Sequence, residues 1–516
     1  KKIDKLLERS WKARGTYPSL GSILDLIADN AKVGIGNEIV SAVEKNKQKK
    51  EDTLEIIAKL LTKKNIPKYL DYDEFTPTID DMYINMKDYN LELVRKLSLF
   101  SLSPTQIKNI LTEDSAYFKK QINVDDIVKN PYLLCEHYKG SEHIDRDEWQ
   151  KIPDKNIGTF TIDIGMFPDS RYLRRNTALQ DLTVHSPERV RAIITDHLKS
   201  LENNGDCYAT LDEIFEMLQN YPLFYRDEDS FSVNKSKLVH DKYMQHFQQR
   251  LEVVKKEFFY LNEIKEAENV IKDTILELLK REDYKTKVDD LDKYLDTQAD
   301  ELTTKIGSNF NRPQFIKERT KLVEGCIKKS FFVITGKPGT GKTQALKKII
   351  EELKNESFQI LAPTGKASLR LKTATGDRST KTIALLIHSA GNGKILEDFE
   401  DFSSSKDLNG PSIQNLIIDE TSMVDLGQFA VLLKMLHDKK NSMKDIKRII
   451  LVGDENQLPP IGYGRPFFDI IELLTSDKKY RDENCVNLET NCRQEFDEEI
   501  LKIIDLFRGR KTCYEE

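Results

Sequence analysis

A chain of 516 residues, 39% hydrophobic and 32% charged, is long enough for several domains at roughly one per ~150 residues, and can bury real cores. No apolar run approaches the ~20 residues of a membrane-crossing helix, and no secretory pattern opens the sequence, so no membrane association and a cytoplasmic setting are expected. Six scattered cysteines without a CxxC pair and eight dispersed histidines without HExxH suggest neither a zinc site nor a disulfide framework, whereas a net charge of −6 leaves a local basic groove for nucleic acid open.

Residues 1–125 read as a mostly helical region of unassigned role. Helical periodicity is plain in EDTLEIIAKLLTKK (51–64) and LELVRKLSLF (91–100), and SLSPTQIKNIL (101–111) opens with a Ser/Pro helix-entry signal. The basic run KNKQKK (45–50) reads as a solvated linker. Residues 126–305 read as a helical accessory region. It holds an irregular connection over 138–185, then the capped helices SPERVRAIITDHLKSLENNG (186–205) and CYATLDEIFEMLQNY (207–221). A β-like SFSV (230–233) after two helices hints at a winged-helix module. LVHDKYMQHFQQRLEVV (238–254) and NEIKEAENVIKDTILELLKRED (262–283) are expected to be helical, the latter with supporting Glu/Lys spacing.

From 306 to 516 the texture changes to apolar strands alternating with amphipathic helices, the pattern of an α/β domain. Phe331–Ile334 is a buried strand running into Gly336-Lys337-Pro338-Gly339-Thr340-Gly341-Lys342-Thr343, and a helix with Leu346, Ile349, Ile350 and Leu353 follows. Strand, glycine-rich loop and helix N-terminus together form a P-loop, whose backbone N–H groups can surround phosphate oxygens. Lys342 would then bridge the β- and γ-phosphates, and the Thr343 hydroxyl would hold Mg²⁺.

Two further strands end in polar residues suited to the same phosphate. NLIIDETSMVD (415–425) ends its apolar run at Asp419, placed to hold Mg²⁺ through water, and Glu420, placed to polarise an attacking water. RIILVGDENQLPPIGYG (448–464) carries Gln457, whose amide can donate to a γ-phosphate and sense its loss. QILAPTGKASLRL (359–371) is a strand, a turn and a helix start, where Lys366 and backbone amides could take a phosphate of a nucleic-acid strand.

In order along the chain, GKPGTGKT, LAPTGKA, STKTIALLIH, IIDETSM, VGDENQLPPIGYG and LETNCRQ resemble motifs I, Ia, Ib, II, III and IV of the RecD-like branch of superfamily 1 DNA helicases. The resemblance covers roughly 309–513. It is looser upstream, in LSPTQIKNIL, VKNPYLLCE, the SPERVRAII helix and FFYLNEIKEAENVI (258–271). It implies a RecA-like parallel-sheet lobe that hydrolyses ATP with Mg²⁺ and moves 5′-to-3′ on single-stranded DNA, in repair, recombination or defence against foreign DNA.

By position, the resemblance makes Gln314 the adenine-reading glutamine. It makes Gly336, Pro338, Gly339, Thr340, Gly341, Lys342 and Thr343 the nucleotide cradle, and Thr343 and Asp419 the metal side. Glu420 becomes the general base, Gln457 the γ-phosphate coupler and Arg493 the arginine finger, while Pro363, Thr364, Lys366 and His388 would lie along DNA.

Such motors need a second lobe carrying motifs V and VI, expected far beyond LETNCRQ, so this chain reads as a fragment of a longer helicase in which protein partner subunits are also allowed for. Two rival expectations remain: an ATP-switched nucleic-acid-binding module that never unwinds, and a motor of the same superfamily tracking RNA, since phosphate contacts carry no 2′-OH information.

Overall fold

The structure is a computed structural model that describes residues 2–28, 34–48, 51–67, 75–112, 118, 122–138, 156–173, 182–222, 233–286, 288–307, 310–377, 379–390, 413–437 and 446–492. The chain forms two compact units, one of residues 1–200 with 208–261, the other of 201–207 with 262–516.

The first unit is mainly helical, with one apolar core that draws residues from Leu20 to Ala192 and so crosses position 125. The helices expected near 51–64, 91–100 and 101–111 form as Thr53–Thr62, Leu91–Leu97 and Pro104–Leu111, the last with a Ser103/Gln106 capping box. Ions buried in this core are paired. Asp163 accepts from the Tyr132 hydroxyl (2.6 Å) and Arg189 (2.6 and 2.8 Å), and Glu136 from Arg191 (2.8 and 3.0 Å).

Two sequence expectations meet a different outcome in this unit. Within the stretch 138–185, expected to be irregular, Thr159–Met166 is a helix with a buried face of Ile162, Asp163 and Met166. Within 238–254, expected to be helical throughout, Leu251–Val254 is a strand. The three-stranded antiparallel sheet β1 (Tyr208–Thr210), β2 (Leu251–Val254) and β3 (Phe258–Leu261), in order β1-β3-β2, takes the β-branched Val253 and Val254 out of the helical pattern. The expected strand at SFSV falls mostly on 230–232, which lie outside the described residues.

The second unit is built on six parallel strands, β4 (Phe331–Gly336), β5 (Phe358–Ala362), β6 (Lys381–Thr382), β7 (Asn415–Ile418), β8 (Arg448–Val452) and β9 (Cys485–Leu488), in the order β6-β5-β7-β8-β4-β9. Every pair is parallel. Helices cover such a sheet on both faces, which is why its central strands read as unbroken apolar runs, with all of β4, β7 and β8 buried.

Arg448, the one charge inside β8, is 1% exposed and fully engaged. It bonds Glu356 (2.8 Å), Asn415 (3.0 Å) and the Ile327 carbonyl (2.9 Å), with the Tyr284 ring 4.2 Å away. Those contacts tie down the edge of the sheet where the strands begin. The other edge, where parallel strands end and ligands bind, carries the site.

Candidate nucleotide site

Five segments leave the sheet at its carboxyl edge: the phosphate loop after β4, Pro363-Thr364 after β5, Asp419-Glu420 after β7, Gly453 to Gly464 after β8, and Glu489 to Cys492 after β9. Neighbouring strands set which of these meet. In the parallel pairing of β4 with β9, Gly336 lies opposite Leu488, so the phosphate loop and the 489–492 segment start side by side.

The loop turns at Gly336 (φ 154°), Gly339 (φ 89°) and Gly341 (φ 76°), values that disfavour a side chain. At Gly336 a Cβ would also lie 2.6 Å from the Leu488 carbonyl oxygen. Gly336→Ala is therefore expected to destabilise this lobe by more than about 1 kcal/mol, read as a lowered denaturation midpoint; an unchanged midpoint would contradict the clash.

Lys342 folds back along the loop, its Nζ donating to the Gly336 carbonyl and, at 3.2 Å, to that of Lys337. Thr340 is buried and donates to the Lys337 carbonyl (2.8 Å). Thr343 Oγ1 donates to Asp419 Oδ2 at 3.3 Å, so the hydroxyl and carboxylate expected at the metal side share one place. Burial pushes the Asp419 carboxyl up to about 6, and the Glu420 charge adds to this; the Glu420 N–H, Thr343 and Lys342 oppose it.

Glu420 sits in the left-handed region (φ 52°), a strained conformation for a non-glycine residue that re-aims the chain as it leaves β7. Its N–H donates to Asp419 Oδ1 (3.0 Å), and its buried Oε2 has no hydrogen-bond partner among the described residues. Arg370 Nη1 stands 3.8 Å from Glu420 Oε1.

Of these groups Lys342, Thr343, Arg370 and Glu420 line one cleft of about 640 Å³, a size suited to a small organic ligand, while Thr340 and Asp419 are buried behind that lining. Its lining includes Pro338, Gly339, Gly341, Lys342, Thr343, Glu420 and Gln457, seven residues expected from the sequence. Lys305, Arg319, Lys337, Lys342 and Arg370 outnumber the acidic Glu301 and Glu420, an electrostatic balance that favours an anion.

Gln314 is not among the lining residues. Its Nε2 donates to Glu318 (2.9 Å) and Glu489 (3.1 Å), and its Oε1 accepts from Asn311 (3.0 Å). Pro363, Thr364 and Lys366 group at the end of β5, where Thr364 caps the Gly365–Thr375 helix by accepting from the Ala367 N–H (3.2 Å). His388 is exposed on the Ile383–Ala390 helix beyond β6. Arg493 lies outside the described residues.

Sequence reasoning missed Arg319, Arg370, Cys492 and the cleft wall supplied by Gln298, Glu301, Leu302 and Lys305 of the Leu291–Ile306 helix. Cys492 and Arg370 stand inside LETNCRQ and QILAPTGKASLRL, but neither residue type there signals phosphate chemistry, and Arg319 and the Leu291–Ile306 helix stand outside every motif quoted above. Arg319 is 4% exposed, with Nη2 donating to the Thr340 carbonyl and the guanidinium 5.1 Å from the Phe315 ring centre.

A glycine-bent loop between a buried parallel strand and a helix, with a carboxylate pair on a neighbouring segment, defines a P-loop nucleoside-triphosphatase lobe of the RecA-like class. Residues 319–463 match the AAA domain family AAA_19. Over 198 residues the chain is 31% identical to the RecBCD enzyme subunit RecD of Haemophilus influenzae, covering 34% of this chain and 29% of that protein. Over 164 residues it is 30% identical to the ATP-dependent RecD2 DNA helicase of Deinococcus radiodurans, covering 31% and 21%.

A longer match, 27% identical over 431 residues, covers 77% of this chain and 33% of the uncharacterized protein MJ1519 of Methanocaldococcus jannaschii. The chain thus spans about a third or less of the length of these curated relatives. Among solved structures, Bacteroides Pif1 bound to ssDNA is 21% identical, with 37% of this chain and 46% of that chain covered and a TM-score of 0.26. Over part of its length, then, this chain is homologous to RecD-like superfamily 1 helicases.

Proposed function

We propose that the lobe hydrolyses ATP to drive a RecD-like helicase or translocase along single-stranded DNA, moving 5′-to-3′. The observation that carries the chemistry is the meeting of Thr343 with Asp419 at 3.3 Å, beside a Glu420 carboxylate oxygen that no described residue engages. A hydroxyl and a carboxylate are hard oxygen donors, and Thr343 with Asp419, the latter through water, would suit Mg²⁺. When bound, Mg²⁺ neutralises phosphate charge.

The remaining work falls to the chain. On nucleotide binding, Lys342 exchanges the Gly336 and Lys337 carbonyls for phosphate oxygens, and the loop N–H groups orient the chain of phosphates. Glu420 Oε2 holds the attacking water and takes its proton, and Gln457, which also lines the cleft, contacts the terminal phosphate. Arg493 acts as the arginine finger, Gln314 turns from the Glu318 and Glu489 carboxylates to read adenine, and the turn of Pro363, Thr364 and Lys366 with His388 forms the track for DNA. The winged-helix-like reading of 126–305, and a role in repair, recombination or defence against foreign DNA, belong to the same proposal.

ATP hydrolysis by the full protein is expected to rise several-fold with single-stranded DNA and to respond less to RNA. Displacement should favour a 5′-tailed duplex. A rate indifferent to any nucleic acid, or a preference for a 3′ tail, would remove the motor reading while leaving the nucleotide site intact.

A further inference from the structure

The phosphate loop and the 489–492 segment are joined by more than their neighbouring strands. Cys492 N–H donates to the Gly339 carbonyl at 3.0 Å, and the Cys492 thiol lies 3.6 Å from the Thr340 carbonyl. Both chains are gripped by consecutive residues of the Arg312–Lys328 helix. Arg319 donates to the Thr340 carbonyl and stands 3.8 Å from Cys492 Sγ. Glu318, 9% exposed, accepts from the Glu489 N–H (3.2 Å) on one carboxylate oxygen and from the Thr490 N–H (3.3 Å) on the other.

The Glu318 oxygen that serves Glu489 also accepts from Gln314 Nε2 (2.9 Å), and Gln314 in turn reaches the Glu489 carboxylate (3.1 Å). A buried carboxylate that accepts two backbone N–H groups dictates how that backbone lies, because turning either peptide away would leave a buried donor unpaired.

We propose that Glu318 is a positioning residue for hydrolysis: its carboxylate registers the 489–492 backbone, the stretch that precedes Arg493 in the sequence, against the phosphate loop. Because a trans peptide points its C=O and N–H in opposite directions, holding the Thr340 carbonyl from outside also turns the Gly341 N–H away from Arg319. Glu318 and Arg319 together act as a splint between a phosphate cradle and the segment that leads to a cation for the transferring phosphoryl group. This rests on the ATPase reading above and adds to it a residue outside its helicase motifs.

The test compares the parent protein with E318A, E318Q, R493A and the double variant E318A/R493A. It measures kcat and KM for ATP, and affinity for ADP against ADP with aluminium fluoride, which mimics the transferring phosphoryl group. E318A is expected to lower kcat about ten- to a hundredfold and to weaken the analogue in proportion, with ADP affinity changed by less than about threefold. E318Q keeps the oxygen that serves Glu489 but sets an N–H₂ against Thr490, so its kcat should fall between parent and E318A. The double variant should be no slower than R493A, because both changes disable one device.

Losses that multiply in the double variant, equal weakening of ADP and the analogue, or a parent-like kcat in E318A would each overturn the inference. If E318A does not fold, E318Q decides: parent-like kcat and analogue affinity in it overturn the inference. A parent protein that hydrolyses no nucleotide would instead refute the ATPase reading itself, and an R493A variant as fast as the parent would remove the arginine-finger assignment; either takes this inference with it.

Discussion

Replacing Lys342 with alanine is expected to slow ATP hydrolysis by roughly a hundred- to a thousandfold at saturating nucleotide, the usual cost of deleting one preorganised donor to developing charge. The side chain rises from the first turn of the Lys342–Glu352 helix and, without phosphate, rests on the Gly336 and Lys337 carbonyls. Lys337 lines the cleft, so water can take the place of the lost donor there and the fold should be spared. The variant should therefore melt close to the parent while losing both turnover and nucleotide affinity. A Lys342→Ala protein hydrolysing at the parent's rate would sink the assignment of this loop as the phosphate site.

The second large effect is expected at Asp419, where stability and function pull apart. Burial, with Glu420 next to it, raises the carboxyl from 3.8 to about 6, so the folded lobe holds that proton more tightly than the unfolded chain does. The sign follows from linkage: below about 4 both states are protonated and nothing is lost, and as pH rises through about 6 the folded state is progressively weakened. At neutral pH the weakening amounts to as much as roughly 3 kcal/mol.

Asp419→Asn removes that charge and should raise the melting temperature of the nucleotide-free protein at pH 7.5, with the gain shrinking towards pH 4. The same variant should lose Mg²⁺-dependent hydrolysis, and Mg²⁺ with nucleotide should stabilise the parent far more than the variant. In the parent, Mg²⁺ binding to the metal-free lobe should weaken as pH falls through about 6, as the carboxylate takes up its proton. A variant that melts lower than the parent at pH 7.5 would show that the ionised carboxylate is held by attraction and not against a burial penalty.

The α/β character of residues from 306 onward was legible because a parallel sheet covered on both faces imprints apolar runs on the chain, as FFVITG, NLII and RIILV do. The phosphate loop was legible because its glycines answer a local backbone demand, seen in the left-handed φ of Gly339 and Gly341. Helical periodicity misled at Leu251–Val254, where pairing with β3 outweighs the pattern of the preceding residues. The irregular texture of 138–185 hid the Thr159–Met166 helix, whose Ile162, Asp163 and Met166 earn their places only in a core assembled from distant segments.

By itself the sequence determined the chemistry of the loop: glycines where the backbone must bend, a lysine and a hydroxyl at the helix start, and a carboxylate pair at a strand end. What only the tertiary structure decided is the company these residues keep. The strand order sets β9 beside β4, and so brings Glu318 to the backbone of a residue 171 positions away and Cys492 to the Gly339 carbonyl. It also places Arg370 near Glu420, and Gln314 between two carboxylates and away from the cleft wall. The reason is physical: bends, periods and caps are settled within a few residues of chain, whereas a hydrogen bond between distant segments depends on which strands lie next to each other.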